Sequence, residues 1–417
     1  MSLQNKKILL GVTGSISAYK ACDLVQRLKD AGATVRVVMT YTATQLVHPN
    51  TFAALTGYKV SVGAFSGIES GAMEHIDLAR WADIYLIAPC SGHTFGELAQ
   101  GLTGSLISLI YMAYGRPVYL APAMNTVMLS AGAVQKNLVA LQAKGDILLP
   151  TGNGILACGE VGYGKLLDVM EITAYLKTHQ ALKNPLPNLK GKRVLLSLGH
   201  TQEKWDDVRF LSNRSSGKTG LALARMLHLL GAKVHLVSGV LDNADASVQT
   251  VLPENFTVSS VKTSEEFLTE MLQHQAGMDI IIMAAAIADF VPSEIFSGKR
   301  KDSKNTQQIE LKSFPNILSE LGAKKAAGQI LVGFALETED AMVHAEKKMQ
   351  ERNCDFVVVN DPVMPGPTNK SGFGEDTVMA EILSKENAEK NPKVMKSMSK
   401  DDLAFSLLSA VSRQYKN

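Results

Sequence analysis

Apolar residues run almost unbroken through Lys7–Val12, then recur at Ala18, Cys22 and Val25 among polar positions, before Gly32-Ala33 and a second apolar run, Val35–Met39. A short apolar run predicts a buried strand, spacing of three to four residues predicts a helix, and the glycine marks the helix end. The same order returns at Arg193-Val194-Leu195-Leu196-Ser197, followed much later by Gly231-Ala232-Lys233-Val234-His235-Leu236-Val237. Two strand–helix–turn–strand openings in one chain predict two α/β domains, each with a mainly parallel sheet and a ligand site at the carboxyl edge of its strands.

Further strands are predicted at Ile84–Ala88 and Val118–Ala121 in the first half, and at Ile280–Ala284, Ile330–Phe334, Phe356–Val359 and Val378–Ile382 in the second. Leu98–Met112 reads as one buried helix, because Gln100, Gly101, Thr103, Gly104 and Ser105 interrupt it too often for a membrane span. Between Leu176 and Lys192 the apolar periodicity lapses and Pro185 and Pro187 appear, which predicts a linker. The expected domains are therefore 1–180 and 192–417, joined by 181–191. Ser384–Lys400 reads as a polar surface turn before a helix around Leu403–Val411. In the second half about twenty residues separate the first strand from the helix near Lys218, and so long a βα connection predicts a functional loop.

Composition narrows the function. A length of 417 residues exceeds what one core usually serves, which agrees with two domains. Lys and Arg total 42 against 40 Asp and Glu, so there is no electrostatic footprint for nucleic acid or an anionic membrane. Small polar or phosphorylated ligands fit better. Cys22, Cys90, Cys158 and Cys354 are far apart and show no CxxC spacing, which argues against a disulfide framework or a zinc cluster and for a reducing, cytoplasmic setting.

Gly14-Ser15-Ile16-Ser17 sits where the first strand meets its helix, offering backbone amides and hydroxyls to a phosphate. It lacks the GxGxxG pattern of a dinucleotide fold. Three further segments follow: Glu74-His75-Ile76-Asp77-Leu78, Ala121-Pro122-Ala123-Met124-Asn125 and Gly154-Ile155-Leu156-Ala157-Cys158-Gly159. This ordered set resembles the flavin-dependent cysteine decarboxylases, the phosphopantothenoylcysteine decarboxylases above all. The resemblance implies a Rossmann-like, flavodoxin-like flavoprotein domain in which Gly14, Ser15, Ile16, Thr40, Ser91, Thr94 and Ala123 surround an FMN. It implies that His75, Met124 and Asn125 contact the substrate and that Cys158 is the acid on a closing flap. These residue types suit the chemistry: losing CO2 from a cysteine amide needs an electron sink that no side chain provides, and a thiol can return the proton. The chain departs from the family pattern at Ser91-Gly92-His93-Thr94 and at Thr103-Gly104-Ser105-Leu106.

In the second half, Ser215-Ser216-Gly217-Lys218-Thr219 resembles the end of a P-loop, but Ser212 stands where GxxxxGK[ST] needs glycine. Read from Asp206 through Asn213 to Lys218, the segment is instead similar to the phosphopantothenate–cysteine ligases. Ala284-Ala285-Ala286-Ile287-Ala288-Asp289-Phe290, Lys299-Arg300-Lys301, Phe314-Pro315-Asn316-Ile317-Leu318, Gly333-Phe334-Ala335-Leu336-Glu337-Thr338 and Asn360-Asp361 follow in that family's order. The resemblance implies a second Rossmann-like, nucleotide-binding sheet. Met283, Ala284, Ala285, Asp289, Phe334, Lys348 and Arg352 would contact CTP, with Pro315, Asn316, Ile317 and Leu318 beside its phosphates. Asn213 would act on an acyl-cytidylate, and Lys301 would steady the transferring phosphoryl charge with Mg2+. Lys348 and Arg352, four apart, share a helix face and could hold one triphosphate. Ser197-Leu198-Gly199-His200-Thr201 and Asp302 depart from the usual motifs.

Together the resemblances imply a bifunctional enzyme of coenzyme A biosynthesis that takes 4'-phosphopantothenate, L-cysteine and CTP. They also imply a homo-oligomer of trimeric decarboxylase and dimeric ligase units. Two rivals are a flavin-binding regulatory subunit without catalysis and a decarboxylase of peptidyl cysteine. The retained His75, Asn125 and Cys158 argue against the first, and the ligase-like half against the second.

Overall fold

The computed structural model describes residues 3–63, 73–157, 159–181, 188–241, 256–299, 308–336, 341–361, 377–385 and 395–415. These fall into two compact units, one formed by residues up to 180 and one by those from 181 on.

In the first unit the strands β1 (Lys7–Val12), β2 (Thr34–Met39), β3 (Ile84–Cys90), β4 (Tyr119–Pro122) and β5 (Ile147–Leu148) form a parallel sheet in the order β2-β1-β3-β4-β5. Register runs from Lys7 opposite Thr34 on one side and Ile8 opposite Ile84 on the other, so the order reverses at β1. A one-turn 3-10 helix (Ile16–Tyr19) leads into α1 (Lys20–Asp30), and Gly32 then turns at φ 90° into β2. Between β2 and β3 lie α2 (Tyr41–Thr44), α3 (Pro49–Thr56) and α4 (Glu74–Trp81). The stretch read as one buried helix is two: α5 (Gly92–Gln100) ends on left-handed Gly101, and α6 (Leu106–Tyr114) restarts in a capping box built by Ser105 and Ser108. A glycine able to adopt positive φ and a serine at the N-cap outweigh the shared apolar pattern. α7 (Thr126–Ser130) and α8 (Gly132–Ala143) follow β4, and an antiparallel hairpin of β6 (Gly152–Ile155) and β7 (Val161–Lys165) follows β5. α9 (Val169–Ala181) carries the helix past Leu176, which is fully buried, so the start of the predicted linker is helical.

The core of this unit gathers Leu9, Tyr85, Ile87, Phe95, Ile107 and Ile110, with the Tyr85 hydroxyl donating to Ile107 O at 2.9 Å. Burial pushes both the Tyr85 hydroxyl and the Cys90 thiol well up, and Glu97 adds to the effect on Cys90, so Cys90 is a packed core thiol.

In the second unit β8 (Arg193–Leu198) is followed by a small hairpin, β9 (Gln202–Lys204) and β10 (Phe210–Ser212), then α10 (Lys218–Leu229), β11 (Lys233–Ser238) and β12 (Phe256–Ser260). Next come α11 (Ser264–Gln275), β13 (Ile280–Met283), a second hairpin of β14 (Phe290–Pro292) and β15 (Leu311–Ser313), α12 (Ile317–Ala323), β16 (Ile330–Leu336) and α13 (Ala341–Glu351). The chain ends with β17 (Phe356–Asp361), β18 (Thr377–Ser384), β19 (Lys396–Ser399) and α14 (Lys400–Arg413). The main sheet has eight strands in the order β12-β11-β8-β13-β16-β17-β18-β19, with β18 antiparallel to both neighbours. Part of the polar stretch read as a surface turn is thus strand β19. Its exposed positions Lys396 and Ser397 carry no apolar alternation, and pairing with β18 rather than pattern makes it a strand. No described helix is long and apolar enough to cross a membrane.

Candidate active sites

In the first unit the loops after β1, β2, β3 and β4 share one sheet edge. The Thr13 hydroxyl donates to Pro89 O at 2.8 Å and accepts from Ser91 N at 2.9 Å, tying the first and third loops. Gly14 lies against the second loop: a Cβ there would stand 2.6 Å from Thr42 Cγ2, which only glycine avoids. Ser15 accepts from Ser17 N, Thr40 caps α2 through Ala43 N, and Ser91 caps α5 through Thr94 N. The amides of Gly14 and Ile16 meet no acceptor among the described residues. Free amides at a helical start suit a phosphate, as the FMN expectation requires. Ile16 is 61% exposed beside them, whereas Thr94 and Ala123 are 1% and 3% exposed and brace the loops from beneath.

Asn125 is at the end of the fourth loop. Its Oδ1 caps α7 by accepting from Val127 N, and its Nδ2 donates to Glu160 Oε2, both at 2.8 Å. Glu160 belongs to the hairpin turn that also carries position 158, so this bond connects the sheet edge to the β6–β7 hairpin. The hairpin is further anchored where Met124 N donates to Gly164 O at 2.9 Å and the Thr126 hydroxyl donates to Tyr163 O at 2.6 Å. Gly164 has φ 114°, and a Cβ on it would lie 2.2 Å from Met124 O. Ile155 and Val161 on the hairpin are 70% and 75% exposed. Cys158 itself lies outside the described residues. His75 is half-buried in the first turn of α4, and its ring makes no hydrogen bond among the described residues.

The two departures from the decarboxylase pattern meet at Glu97. This carboxylate is 7% exposed, accepts from the Ser105 hydroxyl at 3.1 Å and stands 3.9 Å from His93 Nε2. A Cβ on Gly104 would approach Glu97 Oε1 to 3.0 Å, so an acidic side chain at 104 would crowd a second carboxylate against it.

In the second unit a cavity of about 700 Å³ opens at the carboxyl edge of the main sheet. Among the expected residues, Asn213, Met283, Ala284, Ala285, Asp289, Ile317, Leu318, Phe334, Lys348 and Arg352 all line it. Pro315 and Asn316 are not on its wall; Asn316 caps α12 by accepting from Ser319 N at 3.1 Å. Lys301 lies outside the described residues. The Lys348 ammonium donates to Phe334 O at 2.6 Å, which holds the end of α13 to the end of β16. Asn213 Nδ2 donates to Ile287 O at 3.0 Å, which fixes the amide on the cavity wall. Cys354 is close to both cations, yet burial dominates and pushes its thiol up to about 11.

The altered first loop supports this cavity from below. Ser197 Oγ accepts from Ala285 N at 3.2 Å, and His200, 3% exposed, holds Ser215 O at 2.9 Å through Nδ1. The long connection after β8 is the β9–β10 hairpin, braced by buried Asp206, which accepts from Val208 N and Arg209 N. Although Ser215–Thr219 is not a P-loop, it lines the cavity, with Gly217 left-handed at φ 72° before α10. The expected set did not contain Lys400. Lys400 lines the cavity but follows a segment with no periodicity, and only the pairing of β19 brings it to this edge.

The model of the flavoprotein family matches residues 1–180, and that of the DNA/pantothenate metabolism flavoprotein C-terminal domain matches 189–415. The chain is 37% identical over 411 residues to the coenzyme A biosynthesis bifunctional protein CoaBC of Bacillus subtilis, covering 98% of this chain and 97% of that one. Identity to the protein of the same name from Vibrio cholerae is 35% over 415 residues, 99% of each chain. For that of Escherichia coli K12 it is 35% over 379 residues, 90% of each.

Proposed function

Because this chain belongs to the family of coenzyme A biosynthesis bifunctional proteins CoaBC, we propose that its two units carry out consecutive steps of that pathway. The second unit joins 4'-phosphopantothenate to L-cysteine using CTP. The first decarboxylates phosphopantothenoylcysteine to 4'-phosphopantetheine with FMN.

In the ligase step a carboxylate oxygen of phosphopantothenate attacks the α-phosphorus of CTP and pyrophosphate leaves; the cysteine amine then attacks the acyl carbon and CMP leaves. Negative charge grows on the phosphoryl oxygens and on pyrophosphate, so the work is electrostatic. Lys348 of α13 and Arg352 just beyond its end meet it, with Lys301 and Mg2+ assisting. Asp289 is the one carboxylate on the cavity wall among the described residues and the group there able to face a divalent cation. Asn213 holds the acyl carbonyl of the cytidylate. The observation that carries the ligase reading is that ten of the expected residues, drawn from separate stretches of sequence, line one cavity.

In the decarboxylase unit, bound FMN supplies the electron sink for thiol oxidation and later returns the electrons. Asn125 offers its amide to the substrate carboxylate, His75 positions the substrate, Cys158 returns the proton, and the β6–β7 hairpin excludes water above them. Trimeric decarboxylase and dimeric ligase units would complete the assembly.

The test is direct. Purified protein should be yellow, release pyrophosphate from CTP only with both phosphopantothenate and cysteine, and release CO2 from phosphopantothenoylcysteine. Cys158→Ser should stall at an oxidised product, and Lys301→Gln should abolish pyrophosphate release while CO2 release persists. Activity with ATP but not CTP would overturn the nucleotide assignment.

A further inference from the structure

Away from the ligase cavity, the second sheet brings three metal-type donors together. Val237 of β11 enters the core beside Phe267 and Met271 of α11. His235 is two positions earlier on the same strand and therefore points to the face that α11 covers. Glu270 and His274 stand one turn apart on α11, each three positions after a buried anchor, Phe267 and Met271, so both sit at the edge of the packed stripe of the helix.

The rings of His235 and His274 stack with centroids 3.7 Å apart and planes 24° from parallel. His274 Nε2 is 3.4 Å from Glu270 Oε2. One donor atom from each of the three residues lies within 4.8 Å of the other two. Ligand bonds of about 2.0–2.1 Å give a tetrahedron an edge of about 3.4 Å. The helix pair already has that spacing, and the strand histidine has at most about 1.4 Å to close, a ring rotation rather than a backbone movement. All three side chains are half-buried, so an ion and a water reach them from solvent.

Two hydroxyls of β12 back His235: Thr257 Oγ1 is 2.7 Å from its Nδ1, and Ser259 Oγ is 3.2 Å from its Nε2. A neutral imidazole has one donor and one acceptor nitrogen. A hydroxyl that takes the N–H fixes the tautomer and leaves the other nitrogen a lone pair, which is the support that ligating histidines generally have.

We propose that His235, Glu270 and His274 bind one divalent ion of the zinc class, with water in the fourth position, and so clamp α11 to β11. Two imidazoles and one carboxylate suit zinc, whereas Mg2+ prefers an octahedron of oxygen ligands. None of the three residues lines the ligase cavity, so the site is separate from the Mg2+ of the ligase reading and does not rest on that reading.

The experiment is equilibrium dialysis of the full-length protein, stripped with a chelator, against ZnCl2 in excess MgCl2. Wild type should hold about one Zn2+ per chain more than Glu270→Gln or His274→Gln, with affinity at this site falling tenfold or more in each variant. Co2+ in place of Zn2+ should give the visible absorption of a four-coordinate ion, and both variants should lose it. Zn2+ should raise the melting temperature of the wild type and leave the variants where the metal-free proteins melt. Glu270→Gln keeps the shape of a partly exposed helix position, so its metal-free melt should match the wild type. Equal Zn2+ uptake by all three proteins means an adventitious ion only, held by other histidines and thiols, and overturns the site. Displacement of the ion by Mg2+ overturns the zinc assignment.

Discussion

The Asn125–Glu160 bond predicts how the decarboxylase site answers its substrate. Asn125 Nδ2 donates to a carboxylate of the chain's own flap at 2.8 Å, and the substrate also brings a carboxylate to this amide in our reading. The two carboxylates approach the same amide nitrogen, so they compete for the space and the charge beside it even though it carries two N–H groups. A hydrogen bond to a charged acceptor contributes about 1.5–3 kcal/mol when shielded, but this pair is exposed, where such contacts contribute about 0.2–1 kcal/mol. At about 1.4 kcal/mol per tenfold, Glu160→Ala should lower KM for phosphopantothenoylcysteine by roughly 1.4- to fivefold. Because Asn125 Oδ1 still caps α7 through Val127 N, the loop itself should hold and kcat should change little. The assay is CO2 release over a range of substrate concentrations, with Asn125→Asp as a companion that keeps the cap and removes the amide donor. If KM is unchanged or rises in Glu160→Ala, Glu160 does not occupy the substrate's place and the competition argument fails.

Gly164→Val forces a side chain into a left-handed position against Met124 O, a strain of about 1–3 kcal/mol before the clash is relieved, so decarboxylation should fall at least tenfold while ligation on the same sample is unaffected. Asn213→Asp sets a carboxylate against Ile287 O; pyrophosphate release should drop by about tenfold or more with CO2 release retained, and equal loss of both activities would point to misfolding instead. Burial lowers the pKa of His179: the Tyr119 hydroxyl meets its Nδ1 and accepts in turn from Gln180 Nε2 at 3.3 Å. Its folded pKa is lowered, so the unfolded chain binds the proton first, and stability should be constant above the unfolded value of about 6.5 and decline as pH falls below it toward the folded value. Thermal melts from pH 8 to 5 should show a shallower decline for His179→Asn, and an identical slope would remove His179 from the account.

The strands and helices with strong apolar patterns were legible in the chain: β1, β8, α1 and the glycine turns that follow the helices stand where periodicity put them, because burial on both faces leaves no alternative for such runs. The α5–α6 break was not read, since Gly101 and Ser105 act through backbone conformation and capping that an apolar tally overlooks. Residue chemistry in order along the chain was sufficient to name the two families and the type of each loop. Contact between loops was not: that Thr13 ties Ser91, that Asn125 holds Glu160, and that Gly104 must stay small beside Glu97 depend on distances between segments far apart in sequence.

The sequence by itself determined two parallel sheets, their loop-bearing edges and the chemical types available on each, because local pattern and short motifs act within a few residues. Only the tertiary structure decided which charges share a cavity. Lys400 follows a polar stretch about two hundred residues beyond β8, and strand pairing through β18 and β19 is what returns it to the edge where Lys218 and Asn360 stand. Long-range pairing, which no local pattern encodes, therefore sets which side chains line that cavity.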